Sequence, residues 1–279
     1  MIVTVASGKG GTGKTTVATS LACAISDSVH LLDCDVEEPN VHIFLHPKIQ
    51  YQETVYTMVP EVDQERCNGC RKCVDICRFS AITVVGQKLL TFPELCHGCV
   101  GCMVVCPENA ITEGGREVGK FEIGQRGAIR FGHGLLRIGE AMAPPLIRKV
   151  REQIDDKGIT IIDAPPGTSC PVITAMRGVD FVLLVTEPTP FGLHDLKLAV
   201  EAVIKLGIPC GIVINRSDLG DNGVQDYAQQ QGIPVLMEIP FSREIARNYS
   251  KGRILAEQSP KWREKFAGLY EKIKICAAC

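Results

Sequence analysis

The residues from Gly8 to Thr16 have the composition of a phosphate-binding loop. They read Gly-Lys-Gly-Gly-Thr-Gly-Lys-Thr-Thr and follow a short apolar run at residues 2–6. Glycines let successive backbone N–H groups curve around phosphate oxygens, while a lysine reaches the β- and γ-phosphates and a threonine hydroxyl can ligate magnesium. We therefore predict a phosphate site in which Lys14 is catalytic and Thr15 binds Mg²⁺. The residues predicted to hold the nucleotide are Gly8, Gly10, Gly11, Thr12, Gly13, Lys14, Thr15 and Thr16.

Eight of the fourteen cysteines lie between residues 67 and 106 in two runs of identical spacing, Cys67-x2-Cys70-x2-Cys73-x3-Cys77 and Cys96-x2-Cys99-x2-Cys102-x3-Cys106. An Ala-Ile pair follows each run at the same distance, which indicates an internal duplication. Three thiolates at this spacing can hold one 4Fe-4S cluster, and the fourth cysteine of each run then ligates the other cluster. The predicted ligands are Cys67, Cys70, Cys73 and Cys106 for one cluster and Cys96, Cys99, Cys102 and Cys77 for the other. Tetrahedral zinc is the alternative.

Two acidic segments stand where apolar runs end. Asp163 closes one run and opens Asp-Ala-Pro-Pro-Gly. Its carboxylate can hold Mg²⁺ directly or through water, and the N–H of Gly167 can reach a γ-phosphate. In the other segment, Asp33-Cys34-Asp35, either carboxylate can position magnesium or an attacking water. An aspartate at a strand end is also a common helix cap, so only the combination of these acidic segments with the glycine-rich loop indicates phosphate chemistry.

Apolar runs of strand length alternate with stretches of helical periodicity along most of the chain. The strand-like runs are residues 2–6, 29–32, 158–162, 181–185, 211–214 and 234–239, and the helical stretches include 16–25, 146–154 and 195–206. This alternation predicts an α/β fold with a doubly wound, mainly parallel sheet. The cysteine-rich block interrupts it, which predicts a first part at residues 1–56, a small α+β insert at 57–114 and a second part at 115–279. Residues 115–145 are predicted to be a hairpin or loop that joins insert to sheet.

Taken together and in this order, the motifs resemble those of the deviant P-loop ATPases of the MinD, ParA and Mrp group. The shared segments are Gly8 to Thr15, Asp33-x-Asp35, Asp163-x-Pro165-Pro166-Gly167 and Val213 to Arg216. The cysteine block is similar to a bacterial two-cluster ferredoxin over about 55 residues, with Arg78 where such ferredoxins usually have proline. The resemblance implies a dimer that sandwiches two nucleotides.

The same resemblance assigns roles to single residues. Lys9 would act in trans on the partner's phosphates, Asp35 would order the hydrolytic water, and Asp163 would couple to magnesium. Asn215 would contact adenine, next to Arg216. Asn215-Arg216-x-Asp218 is also similar to the guanine-reading Asn-Lys-x-Asp motif of GTPases. We favour ATP because the lysine is absent and the family uses ATP, and GTP stays the alternative.

Six cysteines lie outside the duplicated runs. Cys170 has a spacing from Asp163 similar to that of the switch II cysteine that holds a dimer-bridging cluster in the nitrogenase iron protein. Cys276 and Cys279 resemble the C-terminal Cys-x2-Cys pair of Mrp-type carriers, so these three are candidate ligands of a further subunit-bridging cluster. The alternatives are a small residue in a turn, an unliganded tail and a prenylation box that lacks a polybasic stretch. The remaining three are predicted to be buried thiols: Cys23, Cys34 and Cys210.

Composition restricts the classes of partner. The 279 residues carry a net charge of −2, which argues against nucleic acid, since a phosphate backbone calls for clustered lysine and arginine. No apolar run approaches a membrane span and no signal segment is evident, so we expect a cytoplasmic protein with reduced or metal-bound cysteines. A stripe at helical spacing lies among basic residues near the C-terminus. It comprises Trp262, Phe266, Leu269 and Ile273. Docking of this helix on its own sheet is favoured over membrane contact.

Three functions fit these features. The preferred one is an ATP-binding and ATP-hydrolysing iron-sulfur protein whose nucleotide-driven dimer rearrangement is coupled to assembly or delivery of iron-sulfur clusters or metallocofactors. The first alternative is an ATP-gated electron donor resembling the nitrogenase iron protein. The second is a non-redox positioning ATPase of the ParA or MinD kind. The expected partners are a second copy or a paralogue, together with an iron-sulfur client or redox partner.

Overall fold

The computed structural model describes residues 1–155 and 158–278, in which strands and helices alternate. The strands are β1 (Ile2–Ala6), β2 (Val29–Asp33), β3 (Lys48–Val62), β4 (Ile82–Val85), β5 (Lys88–Thr91), β6 (Ile111–Arg126), β7 (Ile129–Leu136), β8 (Ile159–Asp163), β9 (Phe181–Thr186), β10 (Cys210–Asn215) and β11 (Val235–Ile239). The helices are α1 (Lys14–Ala24), α2 (Val41–Leu45), α3 (Lys72–Ile76), α4 (Gly101–Val104), α5 (Ala143–Arg151), α6 (Cys170–Met176), α7 (Pro190–Leu206), α8 (Gly223–Gln231), α9 (Arg243–Tyr249) and α10 (Pro260–Ala277).

Within the described residues, nine strands form one sheet in the order β11-β10-β9-β1-β8-β2-β7-β6-β3. Neighbouring strands are parallel from β11 to β7, whereas β6 and β3 run antiparallel to their neighbours. The central strands are buried along almost their whole length between two apolar layers, which is why they read as continuous apolar runs. The predicted mainly parallel α/β fold is confirmed. Strand β1 lies where the strand order reverses, the usual position of a ligand crevice in such sheets.

The sequence pattern does not predict the long strands at one edge of the sheet. Strands β3 and β6 pair from Lys48 opposite Gln125 to Val62 opposite Ile111. These strands are part buried and part exposed, so they lack the apolar runs that mark the central strands. Strands β6 and β7 do form a hairpin within residues 111–136, but this hairpin belongs to the main sheet and is not a separate connection.

The cysteine-rich residues 63–110 leave from the far end of the β3–β6 ribbon. They contain α3, α4 and the two-stranded sheet of β4 and β5. The proposed boundaries at residues 56/57 and 114/115 therefore fall inside paired strands. The alanine and isoleucine of both repeats are buried, so the two halves use equivalent positions for packing. They are Ala81, Ile82, Ala110 and Ile111.

Helix α10 docks on the main sheet. Its residues Phe266, Leu269 and Ile273 are fully buried in the same apolar layer as Val17 and Leu21 of α1. The stripe predicted from the sequence is thus a packing face. Among the described residues, the structure contains no helix that is long and apolar enough to cross a membrane.

Candidate functional site

The glycine-rich loop connects β1 to α1 at the crevice in the sheet. Gly11 and Gly13 have φ angles of 78° and 96°, a left-handed backbone that favours glycine. Helix α1 then begins at Lys14, whose side chain is almost buried. The cavity above the loop brings together most of the predicted residues: Gly10, Gly11, Gly13, Lys14, Thr15, Thr16, Asp35, Asn215 and Arg216.

Two predicted loop residues support this cavity without lining it. A Cβ atom on Gly8 would lie 2.1 Å from the carbonyl oxygen of Asp195, so the loop and α7 are in direct backbone contact there. Thr12 is buried, and its carbonyl oxygen accepts a hydrogen bond of 2.8 Å from Nδ2 of Asn215. Asn215, at the end of β10, therefore braces the loop as well as facing the cavity.

Thr15 lines the cavity and Asp163 is buried beside Thr15, and together these two side chains suit magnesium. Oγ1 of Thr15 donates to Oδ2 of Asp163 at 2.6 Å, and Oδ1 of Asp163 is buried without a hydrogen-bond partner among the described residues. Burial raises the pKa of Asp163 to about 7, and Thr15 and Lys14 oppose this rise. A hydroxyl beside a buried carboxylate with a free oxygen is a donor set that Mg²⁺ and its waters favour.

The carboxylates of Asp33 and Asp35 have different roles. Asp33 is fully buried and accepts hydrogen bonds from the N–H groups of Asp35, Asn40 and Val41, so it fixes the loop after β2. Asp35 reaches the cavity, and burial raises its pKa to about 6, with Lys14 opposing the rise. The N–H of Cys34 donates to the carbonyl oxygen of Asp163 at 2.9 Å, which joins the two acidic segments through their backbones.

Lys9 does not line the cavity of its own chain. Its Nζ lies 3.7 Å from Oε2 of the nearly buried Glu187, and Nη1 of Arg216 lies 2.7 Å from Oε1 of the same carboxylate. The role of Lys9 in trans stays a prediction. Gly167 also faces its own chain, because its N–H donates to the carbonyl oxygen of Ser7 at 2.9 Å. Contact with a γ-phosphate requires that this bond opens.

An apolar wall that the sequence patterns do not predict lines one side of the cavity. Oδ1 of Asp218 accepts from the N–H of Phe241 at 2.6 Å, so this carboxylate braces the wall. Asp218 does not line the cavity, whereas a guanine-reading aspartate would have to reach the base. Pro240 after β11 and Ser242 at the cap of α9 were the available signals. The wall comprises Ile239, Pro240, Phe241, Ile245, Tyr249 and Leu255.

The eight clustered cysteines divide between two smaller cavities, four in each. The first cavity contains Cys67, Cys70, Cys73 and Cys106, and the second contains Cys77, Cys96, Cys99 and Cys102. In the described part of the chain, no three Cys, His, Asp or Glu side chains form a preassembled metal-binding group. Burial raises the pKa of Cys73, with a smaller contribution from neighbouring thiols.

Backbone and ring contacts surround these cavities. The N–H of Gly98 lies 3.4 Å from Sγ of Cys96, and the N–H of Ala110 lies 3.3 Å from Sγ of Cys106. The rings of Phe79 and His97 stack at 3.6 Å in the second cavity. Amide donors to sulfur are typical of cysteines that carry iron-sulfur clusters.

The other cysteines have varied surroundings. Cys170 is exposed at the start of α6, and Cys276 packs partly buried against the main core. Cys279 lies outside the described residues. Cys34 is fully buried as predicted, whereas Cys23 and Cys210 are half-buried. Burial raises the pKa of Cys23 to about 12 and that of Cys210 to about 11, so both are unreactive thiols.

A glycine-rich loop between the central strand and a helix, with carboxylates at the ends of the adjoining strands, defines a P-loop nucleotide-binding domain. The model of the CobQ/CobB/MinD/ParA nucleotide-binding domain family matches residues 3–255, and the chain belongs to this family. An uncharacterized protein of Methanocaldococcus jannaschii is 33% identical over 98% of this chain and 96% of its own. The iron-sulfur cluster carrier protein of Aquifex aeolicus is 27% identical over 93% of this chain and 62% of its own.

The fold is also similar to that of solved structures. The septum site-determining protein MinD of Pyrococcus horikoshii, solved with Mg-ADP, superposes with a TM-score of 0.61 at 20% identity, covering 98% of this chain and 95% of its own. The chain belongs to this family and has the P-loop and the carboxylates that such a site needs, so it is a P-loop ATPase.

Proposed function

We propose that ATP hydrolysis by this chain drives a dimer rearrangement that is coupled to assembly or delivery of iron-sulfur clusters or metallocofactors. The observation that carries the iron-sulfur part of the proposal is the division of eight cysteines between two cavities. Each cavity combines three cysteines of one repeat with the fourth cysteine of the other, the exchange typical of two-cluster ferredoxins. The similarity to an iron-sulfur cluster carrier protein supports the delivery part of the proposal.

At the nucleotide site, the chain's own residues divide the work of phosphoryl transfer. The loop N–H groups and Lys14 hold the phosphates, and Thr15 and Asp163 would hold Mg²⁺, which neutralises phosphate charge. Asp35 orients water for in-line attack on the γ-phosphorus, the bond to the β-phosphate oxygen breaks, and ADP and phosphate leave. In this proposal Lys9 of a second copy completes the charge around the γ-phosphate.

An ATP-gated electron donor is the second candidate. A full set of four cysteines in each cavity favours clusters that stay in place, as an electron donor needs, whereas a carrier must release its cargo. A positioning ATPase without clusters does not account for the two cysteine sets. The partners proposed are a second copy or a paralogue, and an iron-sulfur client or redox protein. Because such thiols need a reducing compartment, we place the protein in the cytoplasm.

Iron analysis of anaerobically purified protein tests the proposal. We expect about eight iron atoms per chain and an EPR signal of reduced 4Fe-4S clusters after dithionite treatment. Cys73→Ser should lower the iron content, while the matched change Cys210→Ser, outside both cavities, should leave it unchanged. Changing Cys276 and Cys279 to serine should also spare both clusters. Tightly bound zinc without iron would contradict the proposal.

Nucleotide addition then separates the two candidates. Loss of iron to an apo-ferredoxin acceptor on addition of Mg-ATP supports delivery. Retention of iron, together with a nucleotide-dependent change in the EPR spectrum, supports gated electron transfer.

A further inference from the structure

We propose that the buried ion pair between Arg116 and Glu140 links the nucleotide site to the second cysteine cavity. The significance for iron-sulfur chemistry rests on the proposed function, but the linkage itself is a property of the chain. Arg116 lies in β6, is 8% exposed, and Nη1 of its guanidinium pairs with Oε2 of Glu140. Glu140 has a fully enclosed side chain in the segment after β7.

The first step of the linkage starts at the loop that carries Asp35. This switch loop, residues 34–40, ends at α2, and the carbonyl oxygen of Val36 accepts the N–H of Leu136 at 2.8 Å. Leu136 is the last residue of β7. A Cβ atom on Gly134 would lie 2.8 Å from Cγ1 of Val36, so the switch loop packs directly against β7. A shift of Asp35 on nucleotide binding therefore acts on the end of β7.

The second step runs from the end of β7 to Glu140. The N–H of Arg137 donates to the carbonyl oxygen of Val118 at 2.9 Å. The N–H of Glu140 donates to the carbonyl oxygen of Arg137 at 3.0 Å. Oε1 of Glu140 accepts the N–H of Met142 at 2.8 Å. The Glu140 carboxylate is thus held by the backbone that follows β7, and it moves with that backbone.

The third step brings the pair to a cysteine of the second cavity. Nη2 of Arg116 lies 3.5 Å from the carbonyl oxygen of Cys96, and Nε is buried without a partner among the described residues. A charged donor behind a ligating cysteine orients that cysteine and changes the reduction potential of a cluster it holds. Arg116 is accordingly a positioning residue whose own position depends on Glu140.

Hydrogen exchange with and without Mg²⁺ and a non-hydrolysable ATP analogue tests the linkage without any cluster. In the natural chain we expect nucleotide to change amide exchange in residues 35–41 and in residues 96–98, by about fivefold or more. The double variant Arg116→Met with Glu140→Gln removes both charges, while the new amide can still accept from Met142. It should keep the response at residues 35–41 and lose it at 96–98. Arg66→Met, an exposed change beside Cys67, should keep both responses.

Redox titration of the iron-loaded protein provides a second readout. A fivefold coupling corresponds to a shift of about 40 mV for one electron when the nucleotide analogue binds. We expect this shift for the second cluster of the natural chain and not for the double variant. Arg116→Lys retains the charge but not the planar fork, so it should keep the mean potential of the cluster and weaken the response.

An unchanged response at residues 96–98 in the double variant, or no response in the natural chain, would overturn the linkage. A different result would contradict the proposed function alone. A chain that never binds iron but loses the exchange response in the double variant retains the linkage and contradicts the cluster proposal.

Discussion

Lys9 and Lys14 lie in one loop but have different surroundings. Lys14 is 7% exposed and lines the nucleotide cavity, whereas Lys9 is 31% exposed in its side chain and faces Glu187. The two charges therefore do not compete for the same phosphate within one chain. Their separation at the residue level predicts separate effects on binding and on turnover.

We expect Lys14→Ala to weaken ATP binding by about 3 kcal/mol, roughly a hundredfold, because a buried charge contact to phosphate is lost. Lys9→Ala should leave binding nearly unchanged and lower the rate of hydrolysis by about a thousandfold, as for other cations supplied across an interface. Titration calorimetry and phosphate release measure the two effects. Lys205→Ala, an exposed change on α7, serves as control. Normal turnover of Lys9→Ala would exclude action across a dimer.

The raised pKa of Asp163 predicts a pH dependence with a definite sign. The folded, magnesium-free chain holds a proton up to about pH 7 that the unfolded chain releases near pH 4. Its free energy of unfolding should therefore fall as pH rises through this interval, by at most about 4 kcal/mol from this group. Urea unfolding at pH 5 and pH 8 measures the slope. Asp163→Asn is neutral throughout and should have a flatter slope, and equal slopes would contradict the assignment.

Bound Mg-nucleotide favours the ionised form of Asp163, since a carboxylate that holds magnesium must be deprotonated. Affinity for Mg-ATP should consequently increase between pH 6 and pH 8 in the natural chain.

At the level of elements, the phosphate loop and α7 are in tight contact. Gly8→Ala should destabilise the fold by about 3 kcal/mol, because the new Cβ atom would lie 2.1 Å from the backbone of Asp195. Gly10→Ala is the matched control, since among the described residues no atom beyond the two chain neighbours lies within 4 Å of a Cβ at that position. Urea unfolding of both variants measures the difference. Similar midpoints for the two would show that α7 can move away at little cost.

The parallel strands β1, β2 and β8 to β11 were predictable from sequence, whereas the long antiparallel strands at one edge of the sheet were not. Strands β1, β8 and β9 are buried on both faces, so apolar side chains occupy most positions and produce runs visible in the sequence. Strand β3 has exposed residues such as Tyr51 and Tyr56, and its pairing with a strand about 60 residues away leaves no local signal. The extent of β6 was hidden for the same reason.

In the functional site, too, some residues were predictable from sequence and others were not. The phosphate loop and Asp163 lie in short motifs whose chemistry can be identified without a fold. The wall formed by residues such as Phe241 and Tyr249 is apolar and carries no motif, and only tertiary packing brings it to the cavity. The different roles of Asp33 and Asp35 also depend on hydrogen bonds that sequence does not reveal.

On the scale of the whole molecule, the cysteine-rich residues 63–110 begin and end at neighbouring positions, because Val62 pairs with Ile111. Replacing this segment by an Asn-Gly turn should close the β3–β6 ribbon as a hairpin. We expect the shortened chain to fold and bind ATP, because the nucleotide cavity contains no residue of the segment. It should retain no iron after anaerobic reconstitution. Calorimetric ATP titration and iron analysis test both statements, and loss of ATP binding would show that the two parts fold as one.

The backbone hydrogen bond from Cys34 to Asp163 has a kinetic consequence. It joins the backbone next to Asp35 to the backbone of Asp163, so these two segments stay together during the reaction. With the proposed role of Lys9, the group still missing from each site arrives only with another molecule. The specific rate of hydrolysis should then rise with protein concentration, so the activity of each chain would depend on the local concentration of other copies.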